Sequence, residues 1–223
     1  MSKDTFLKGA LILTFAGVLV KIIGSVNRIL LSRLLGGEGI GLYQMAYPIY
    51  LLALSVSSAG IPVAISIIVA EKVALSDFRG ANRVFRISLA LLSVTGIIFT
   101  FLLYFGAEWL IEHQFVRDAR AYYAIVALAP AILFVTILSS YRGYFQGLQM
   151  MTPTAVSQIF EQLFRVVTMI FLAYYLLPLG LEYAAAGASF GLVILVVLLF
   201  LRTLSATFVA GVTLPLSLAS AFG

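Results

Sequence analysis

The sequence contains no cysteine and a single histidine, His113. Without cysteine there is no disulfide bond and no thiolate metal site, and one histidine argues against a histidine-based metal centre. The sequence also lacks an HExxH motif, a GxSxG motif with accessible triad partners and a DxD-type carboxylate pair. A hydrolase needs at least a nucleophile with a base. We therefore expect no metal, no cofactor and no enzymatic activity.

Charge is scarce: 10% of the 223 residues are charged and 62% are hydrophobic. A soluble domain carries about 25% charged and roughly 45–50% apolar residues, so this chain has too little polar surface for a soluble enzyme fold. One transmembrane helix takes about 20 apolar residues, and the length allows at most about six or seven crossings. The sequence predicts a polytopic helical membrane protein.

The apolar residues fall into long continuous stretches. They cover residues 9–31, 42–70, 87–105, 121–140, 152–177, 183–201 and 203–222. The second stretch would be about 43 Å long as a straight helix, which exceeds the hydrocarbon core of roughly 30 Å. Pro48, Gly60 and Pro62 lie within it and predict a bent or broken helix. We expect an all-α membrane protein, a bundle of six transmembrane helices plus a partial seventh.

The basic residues are distributed unevenly between alternate loops, which predicts the orientation. The N-terminal side holds Lys3, Lys8, Lys72, Arg79, Arg83, Arg86, Arg142 and Arg202, whereas the other side holds Arg33, Arg117 and Arg120. This distribution predicts a multi-pass protein of the cytoplasmic membrane whose N-terminus lies in the cytoplasm. The net charge of +5 therefore indicates topology and contact with anionic membrane lipids, not a nucleic-acid partner.

Two cations lie within the first stretch, where charge is costly. Lys21 lies about 18 Å along the helix from Gly9, near the middle of the membrane. Helical spacing places several small or polar residues on one face, which we call the polar stripe: Thr14, Gly17, Lys21, Ser25, Arg28 and Ser32. The stripe predicts a cavity wall that attracts an anion. Alternatives are an ion pair of Lys21 with another helix, snorkelling of Arg28 and a loop-end position for Arg33.

The fifth stretch also has a polar face, formed by Gln158, Glu161, Gln162 and Arg165. Glu161 and Arg165 are spaced i, i+4 with the acid first, which is the favourable order for an ion pair. The face is either a structural pair packed against another helix or a second cavity wall. In the second case Glu161 could instead balance Lys21.

Several of these residues also carry a resemblance to a known family. Residues 8–36, with the run Asn27-Arg28-Ile29-Leu30-Leu31-Ser32-Arg33-Leu34-Leu35-Gly36, resemble the first helix of stage V sporulation protein B-like flippases. Residues 47–62 look like their second helix. The run Tyr141-Arg142-Gly143-Tyr144-Phe145-Gln146-Gly147, with Thr152-Pro153 and then Glu161-Gln162 and Arg165, resembles their fourth-to-fifth helix region. These flippases group with the lipid II flippases and the multidrug and toxic compound extrusion transporters.

The resemblance implies one lobe of a two-lobe transporter, which moves lipid-linked oligosaccharides on polyprenyl pyrophosphate by alternating access. It also implies that cationic side chains of the first helix contact the diphosphate. Arg33 aligns with one such arginine of the lipid II flippases, and Arg28 is offset by one residue from a second. We predict that Lys21, Arg28 and Arg33 form a cationic cavity wall. The predicted lining or gating residues are Ser25, Gln158, Glu161, Gln162 and Arg165. An arginine of the family's second helix has no counterpart near residues 51–55, and an early acid of that helix is missing near residues 42–44.

The predicted domains are a six-helix lobe over residues 1–202 and the truncated start of a second lobe over residues 203–223. Such a chain needs a second lobe or a second copy to close its cavity. Two other functions remain open: a cation-coupled multidrug exporter of the same superfamily, and a non-transporting membrane fragment or scaffold.

Overall fold

A computed structural model describes residues 3–191 and 193, which contain helices and connecting turns and no strand. The helices are α1 (Lys3–Ser58), α2 (Ile61–Ala74), α3 (Phe78–Glu112), α4 (Tyr122–Gly147) and α5 (Met151–Leu176), followed by α6 over residues 181–191. Among the described residues, four segments are long and apolar enough to cross a membrane: Leu11–Ala74, Phe78–Glu112, Ala119–Gly147 and Thr154–Leu179. The expected all-helical, multi-pass membrane protein is confirmed.

The number of crossings is confirmed only in part. The first five predicted stretches lie within α1 to α5, except that the second one crosses the turn at residues 59–60 and the fourth and fifth each extend one residue beyond their helix. The sixth, residues 183–201, is described mainly at its start, and residues 203–223 lie outside the described part of the chain. The count of six helices plus a partial seventh therefore stays a prediction.

Helix α1 is interrupted at Gly36, whose φ of 69° and ψ of −174° are not helical. An unbroken helix of 56 residues would be about 84 Å long, far more than one crossing requires. The interruption divides α1 into an N-terminal arm, residues 3–35, and a C-terminal arm, residues 37–58. A positive φ with an extended ψ is readily adopted only by glycine, so the sequence fixes where the helix changes direction.

A second break separates the C-terminal arm from α2. Ala59 and Gly60 both have positive φ, 37° and 77°, and Pro62 lies in the first turn of α2, where a missing N–H costs nothing. The expected broken helix is confirmed, and the break lies at Ala59–Gly60. Pro48 lies inside the C-terminal arm.

Helix α4 is the buried centre of the bundle. Half of its apolar window is buried, compared with 17–22% for the other three candidate spans. Alanines such as Ala124, Ala129 and Ala131 are completely buried and let the C-terminal arm of α1 and α3 approach closely. Each of the other helices therefore packs one face towards the interior of the bundle and exposes apolar side chains on its opposite face, as contact with lipid requires.

Two pairs of glycines let helices pack backbone to backbone. A Cβ on Gly143 of α4 would lie 2.6 Å from the carbonyl oxygen of Pro62. A Cβ on Gly191 of α6 would lie 2.8 Å from the backbone of Met169 in α5. Gly147 and Gly187 complete the two pairs at a spacing of four residues, which is the GxxxG pattern of close helix pairs in membranes. These contacts fix α2 on α4 and α6 on α5.

The connections between helices alternate between two ends of the bundle. At one end, Arg120 Nη2 lies 2.7 Å from Glu38 Oε1 and joins the Gly36 turn to the start of α4. The same guanidinium donates to Asp118, and these hydrogen bonds lower the pKa of that carboxyl. At the other end, Gly9 lies against Met151 at the start of α5. Successive helices thus run back and forth, as in a chain that crosses a membrane repeatedly.

We expect Gly36→Ala to lower the free energy of unfolding by about 1–3 kcal/mol, because alanine is strained at this positive φ. Gly37→Ala is the matched control: it lies next along the chain, and a Cβ there meets no atom within 4 Å. Thermal unfolding in detergent measures both variants. Equal melting midpoints for the two would contradict a structural requirement for glycine at residue 36.

Candidate binding site

A pocket of about 270 Å³ lies in the angle between the two arms of α1, where α5 forms its third wall. We call it the arm pocket. Its lining residues are Gly24, Asn27, Arg28, Leu31, Ile40, Tyr43, Gln44, Tyr47, Pro48, Gln162, Arg165 and Met169. Two of these are arginines, and none of the described lining residues is acidic. The lining therefore has a positive electrostatic potential and favours an anionic or hydrogen-bonding ligand.

The N-terminal arm contributes one buried and one exposed polar residue to this pocket. Asn27 is 7% exposed, and its Nδ2 lies 3.5 Å from the sulfur of Met169. Its Oδ1 is buried and has no hydrogen-bond partner among the described residues. Buried acceptors are normally satisfied, so this oxygen is available to a donor in the pocket. The next residue, Arg28, is exposed and lines the mouth.

Gly24 brings α5 up against the N-terminal arm. A Cβ at this position would lie 3.1 Å from Nε2 of Gln162, so the absence of a side chain makes room for the amide. Gln162 is 7% exposed and lines the arm pocket. Gly24 thus leaves the space that the Gln162 side chain occupies next to the N-terminal arm.

Behind the pocket, Glu161 binds two arginines, and we call these three residues the ion triad. Oε1 of Glu161 accepts a hydrogen bond of 2.8 Å from Arg165 Nη2, and its Oε2 accepts one from Arg142 Nη2 in α4. The Glu161 side chain is 10% exposed and each arginine side chain 22%. The predicted i, i+4 pair is formed, and the partners of Glu161 are arginines and not Lys21.

The ion triad leaves a positive charge beside the pocket. One carboxylate faces two guanidinium groups, so the triad has a net charge of +1. Nε of Arg142 and Nε of Arg165 are buried without a hydrogen-bond partner among the described residues. Arg165 also lines the arm pocket. Glu161 therefore holds Arg165 in place without cancelling the attraction of the site for an anion.

The polar stripe lies on the outside of the described helices. Lys21, Ser25 and Arg28 are all exposed, and the Ser25 hydroxyl donates to the Lys21 carbonyl at 3.0 Å. In the described part of the chain, no carboxylate forms an ion pair with Lys21, Arg28 or Arg33. The ion pair considered for Lys21 is thus not found within these residues. Exposed cations at membrane depth need water or protein to cover them.

The predicted site residues separate into three groups. Arg28, Gln162 and Arg165 line the arm pocket, with Glu161 directly behind them. Lys21 and Ser25 extend the same surface along the polar stripe, outside the pocket. Arg33 is exposed and Gln158 partly buried, and neither of them lines the pocket.

Some residues of the site were missed by the sequence analysis. Arg142 was counted as a topology-determining residue, whereas it completes the ion triad from 19 residues away. Tyr43 and Tyr47 face the pocket from the C-terminal arm, with ring centroids 5.6 Å apart. Their i, i+4 spacing is visible in the sequence, but nothing local shows that the two arms fold towards each other around them.

Comparison with known proteins places these features in context. Residues 6–217 match the family described as "Polysaccharide biosynthesis protein". Stage V sporulation protein B of Bacillus subtilis (strain 168) is 43% identical over 188 residues, which are 84% of this chain and 36% of that protein. Lipid II flippase MurJ of the same organism is 32% identical over 198 residues, again 84% and 36%. The chain spans about a third of the length of these curated relatives.

Two solved structures share the fold. One is described as an outward-facing conformation of a multidrug resistance MATE family transporter of the MOP superfamily, and the other as a MOP superfamily transporter from Pyrococcus furiosus with a binding pocket of reverse polarity. Each gives a TM-score of 0.73 at 16% identity and covers 88% of this chain, which corresponds to 44% and 43% of those chains. The relative at 32% identity is described as a flippase, in agreement with the prediction that the chain is not an enzyme.

We expect Glu161→Gln to lower the free energy of unfolding by about 3–5 kcal/mol, because it leaves two largely buried arginines without a counter-charge. Glu38→Gln is the matched control, since Glu38 also pairs with an arginine but its side chain is 60% exposed, and such pairs contribute at most about 1 kcal/mol. Detergent unfolding curves compare the two. Similar losses of unfolding free energy in both variants would show that the ion triad stabilises the protein no more than an exposed ion pair does.

Proposed function

Because the chain belongs to the polysaccharide biosynthesis protein family, we propose that it forms the N-terminal lobe of a membrane exporter of lipid-linked oligosaccharides. The observation that carries the proposal is the row of exposed cations on the polar stripe, which leads to an arm pocket with no acidic residue among its described lining. An anionic substrate at membrane depth is what this surface attracts.

The proposed substrate is a saccharide joined to polyprenyl pyrophosphate. The diphosphate is the anionic part, and guanidinium and ammonium groups bind phosphate oxygens through charge-assisted hydrogen bonds. Lys21, Arg28 and Arg33 provide such groups on the exposed face of the N-terminal arm. Arg165, held by Glu161, provides a further one inside the arm pocket. Transport then requires that this surface become accessible from each side of the membrane in turn.

The exposed cations also support a two-lobe arrangement. A charge near the centre of the hydrocarbon layer costs about 2.5–3.5 kcal/mol by insertion scales, and the surface with Lys21 and Arg28 is uncovered by the described helices. We propose that residues 1–202 form one lobe, that residues 203–223 begin a second, and that a second lobe or a second copy faces the polar stripe. Substrate and water then occupy the space between.

The competing functions have less support. A cation-coupled multidrug exporter would need an acid in its cavity to bind a cation, whereas the described acid next to the arm pocket, Glu161, is bound to two arginines. A scaffold without transport activity gives no reason for cations at membrane depth that form no ion pair with the described residues. The oligosaccharide exporter accounts for both the charges and the family.

We expect Lys21→Ala and Arg28→Ala each to reduce export of the lipid-linked precursor by about one to two orders of magnitude, because each removes a charge-assisted contact of about 1.5–3 kcal/mol. Accumulation of precursor in the inner leaflet of cells that make the protein at its natural length measures the effect. Arg83→Ala, which removes an exposed cation from α3, is the control and should export normally. Unchanged export in both stripe variants would refute the role in diphosphate binding.

The orientation is tested separately. Ser76 and Gln114 are exposed turn residues with the same φ of 59°, and they lie at opposite ends of α3. With a cytoplasmic N-terminus, Gln114→Cys should react with a membrane-impermeant maleimide in intact cells and Ser76→Cys only after lysis. The chain has no cysteine of its own, so the label reports a single position. The reverse pattern would place the N-terminus outside.

A further inference from the structure

The arm pocket is lined by aromatic and amide side chains as well as by arginines, and these side chains indicate which ligand it binds. We propose that the pocket is a subsite for one sugar ring, the ring joined directly to the diphosphate of the lipid carrier. This inference rests on the proposed function, and it assigns a saccharide-binding role to residues of the C-terminal arm of α1. The argument depends on the size of the pocket, its aromatic wall and its unpaired acceptor.

The size of the pocket limits the occupant to one ring. Ligand pockets for drug-sized molecules measure roughly 300–1,000 Å³, and the arm pocket, at about 270 Å³, lies just below that range. An oligosaccharide with its diphosphate is too large to enter it. A single hexose is small enough, which leaves the rest of the saccharide and the lipid outside, on the exposed surface of the lobe.

The wall formed by the C-terminal arm has the composition of a sugar-binding surface. Tyr43 and Tyr47 stack on each other with an angle of 23° between their rings, and Tyr47 lies 5.9 Å from Tyr50. The electron-rich faces of aromatic rings attract the weakly positive C–H groups of a pyranose. Gln44, exposed at the edge of this wall, adds an amide that can donate to and accept from hydroxyl groups.

The unpaired acceptor distinguishes a sugar from a phosphate group. Oδ1 of Asn27 is buried, has no partner among the described residues and belongs to a residue that lines the pocket. A sugar hydroxyl can donate a hydrogen bond to this oxygen. The oxygens of an ionised diphosphate ester have no proton to donate and would be repelled by it. The two arginines attract the anion, while a hydroxyl group of the ring supplies the donor that Oδ1 of Asn27 lacks.

Arg28 connects the subsite to the anion-binding surface. It lies on the polar stripe one helical turn past Ser25, and it also lines the pocket. Lys21, two turns earlier on the stripe, does not line it. A diphosphate bound between Lys21 and Arg28 would place the first sugar at the mouth of the arm pocket.

Binding of two lipids to the protein in nanodiscs tests this arrangement. One lipid is a polyprenyl pyrophosphate that carries a single hexose, and the other is the same polyprenyl pyrophosphate without sugar. Gln44→Ala, which removes one hydrogen-bonding amide, should weaken binding of the sugar-bearing lipid about fivefold. Tyr47→Leu, which removes the aromatic face, should weaken it by about the same factor, and both variants should leave binding of the sugar-free lipid unchanged. Gln44 is exposed and Tyr47 is partly exposed, so both variants should remain folded, which their melting midpoints check.

Matched controls and a third variant make each outcome decisive. Gln146→Ala and Tyr104→Leu make the same chemical changes outside the pocket and should not alter binding of either lipid, whereas Lys21→Ala should weaken both lipids equally. If the pocket variants also weaken both lipids equally, or weaken neither, the sugar subsite is refuted and the proposed function stands. If the unaltered protein binds neither lipid, the proposed function is refuted, and the subsite with it.

Discussion

A charge inside a hydrocarbon layer must be paired, hydrated or covered, and this requirement explains the main features of the lobe. Glu161 meets it by pairing: its carboxylate receives guanidinium groups from α4 and α5 and joins the two helices. Lys21 and Arg28 do not meet it within the described helices, because they are exposed and form no ion pair there. The same constraint thus distinguishes charges that stabilise the lobe from charges that need a partner outside it.

The packing of the helices determines which charges meet. Glycines on α4 and α6 let α2 and α5 approach to backbone contact, whereas Gly24 on the N-terminal arm makes room for the Gln162 side chain of α5 at the wall of the arm pocket. Small residues thus determine which helices pack closely, and in the case of Gln162 they also determine where a polar side chain lies.

Periodicity along one helix was enough to predict a large part of this arrangement. It identified the first five apolar helices, the break near Gly60, the polar stripe and the pair of Glu161 with Arg165, because all of these depend on residues close in sequence. Arg142 was assigned to topology instead, since no local pattern shows which helix lies opposite. The burial of Asn27, next to the exposed Arg28, likewise follows from the position of Met169 in α5. Contacts between distant helices were the part that the sequence alone did not contain.

The interruption of α1 at Gly36 has a mechanical consequence. Two walls of the arm pocket belong to the two halves of one helix, so a change in the angle between them changes the volume of the pocket. A ligand that fits only one angle stabilises that angle by its differential binding free energy. A bound ligand would therefore hold the two arms at one angle, and the bend at Gly36 and the pocket are coupled through it. The salt bridge from Glu38 to Arg120 lies next to this bend and connects it to the turn that precedes the central helix.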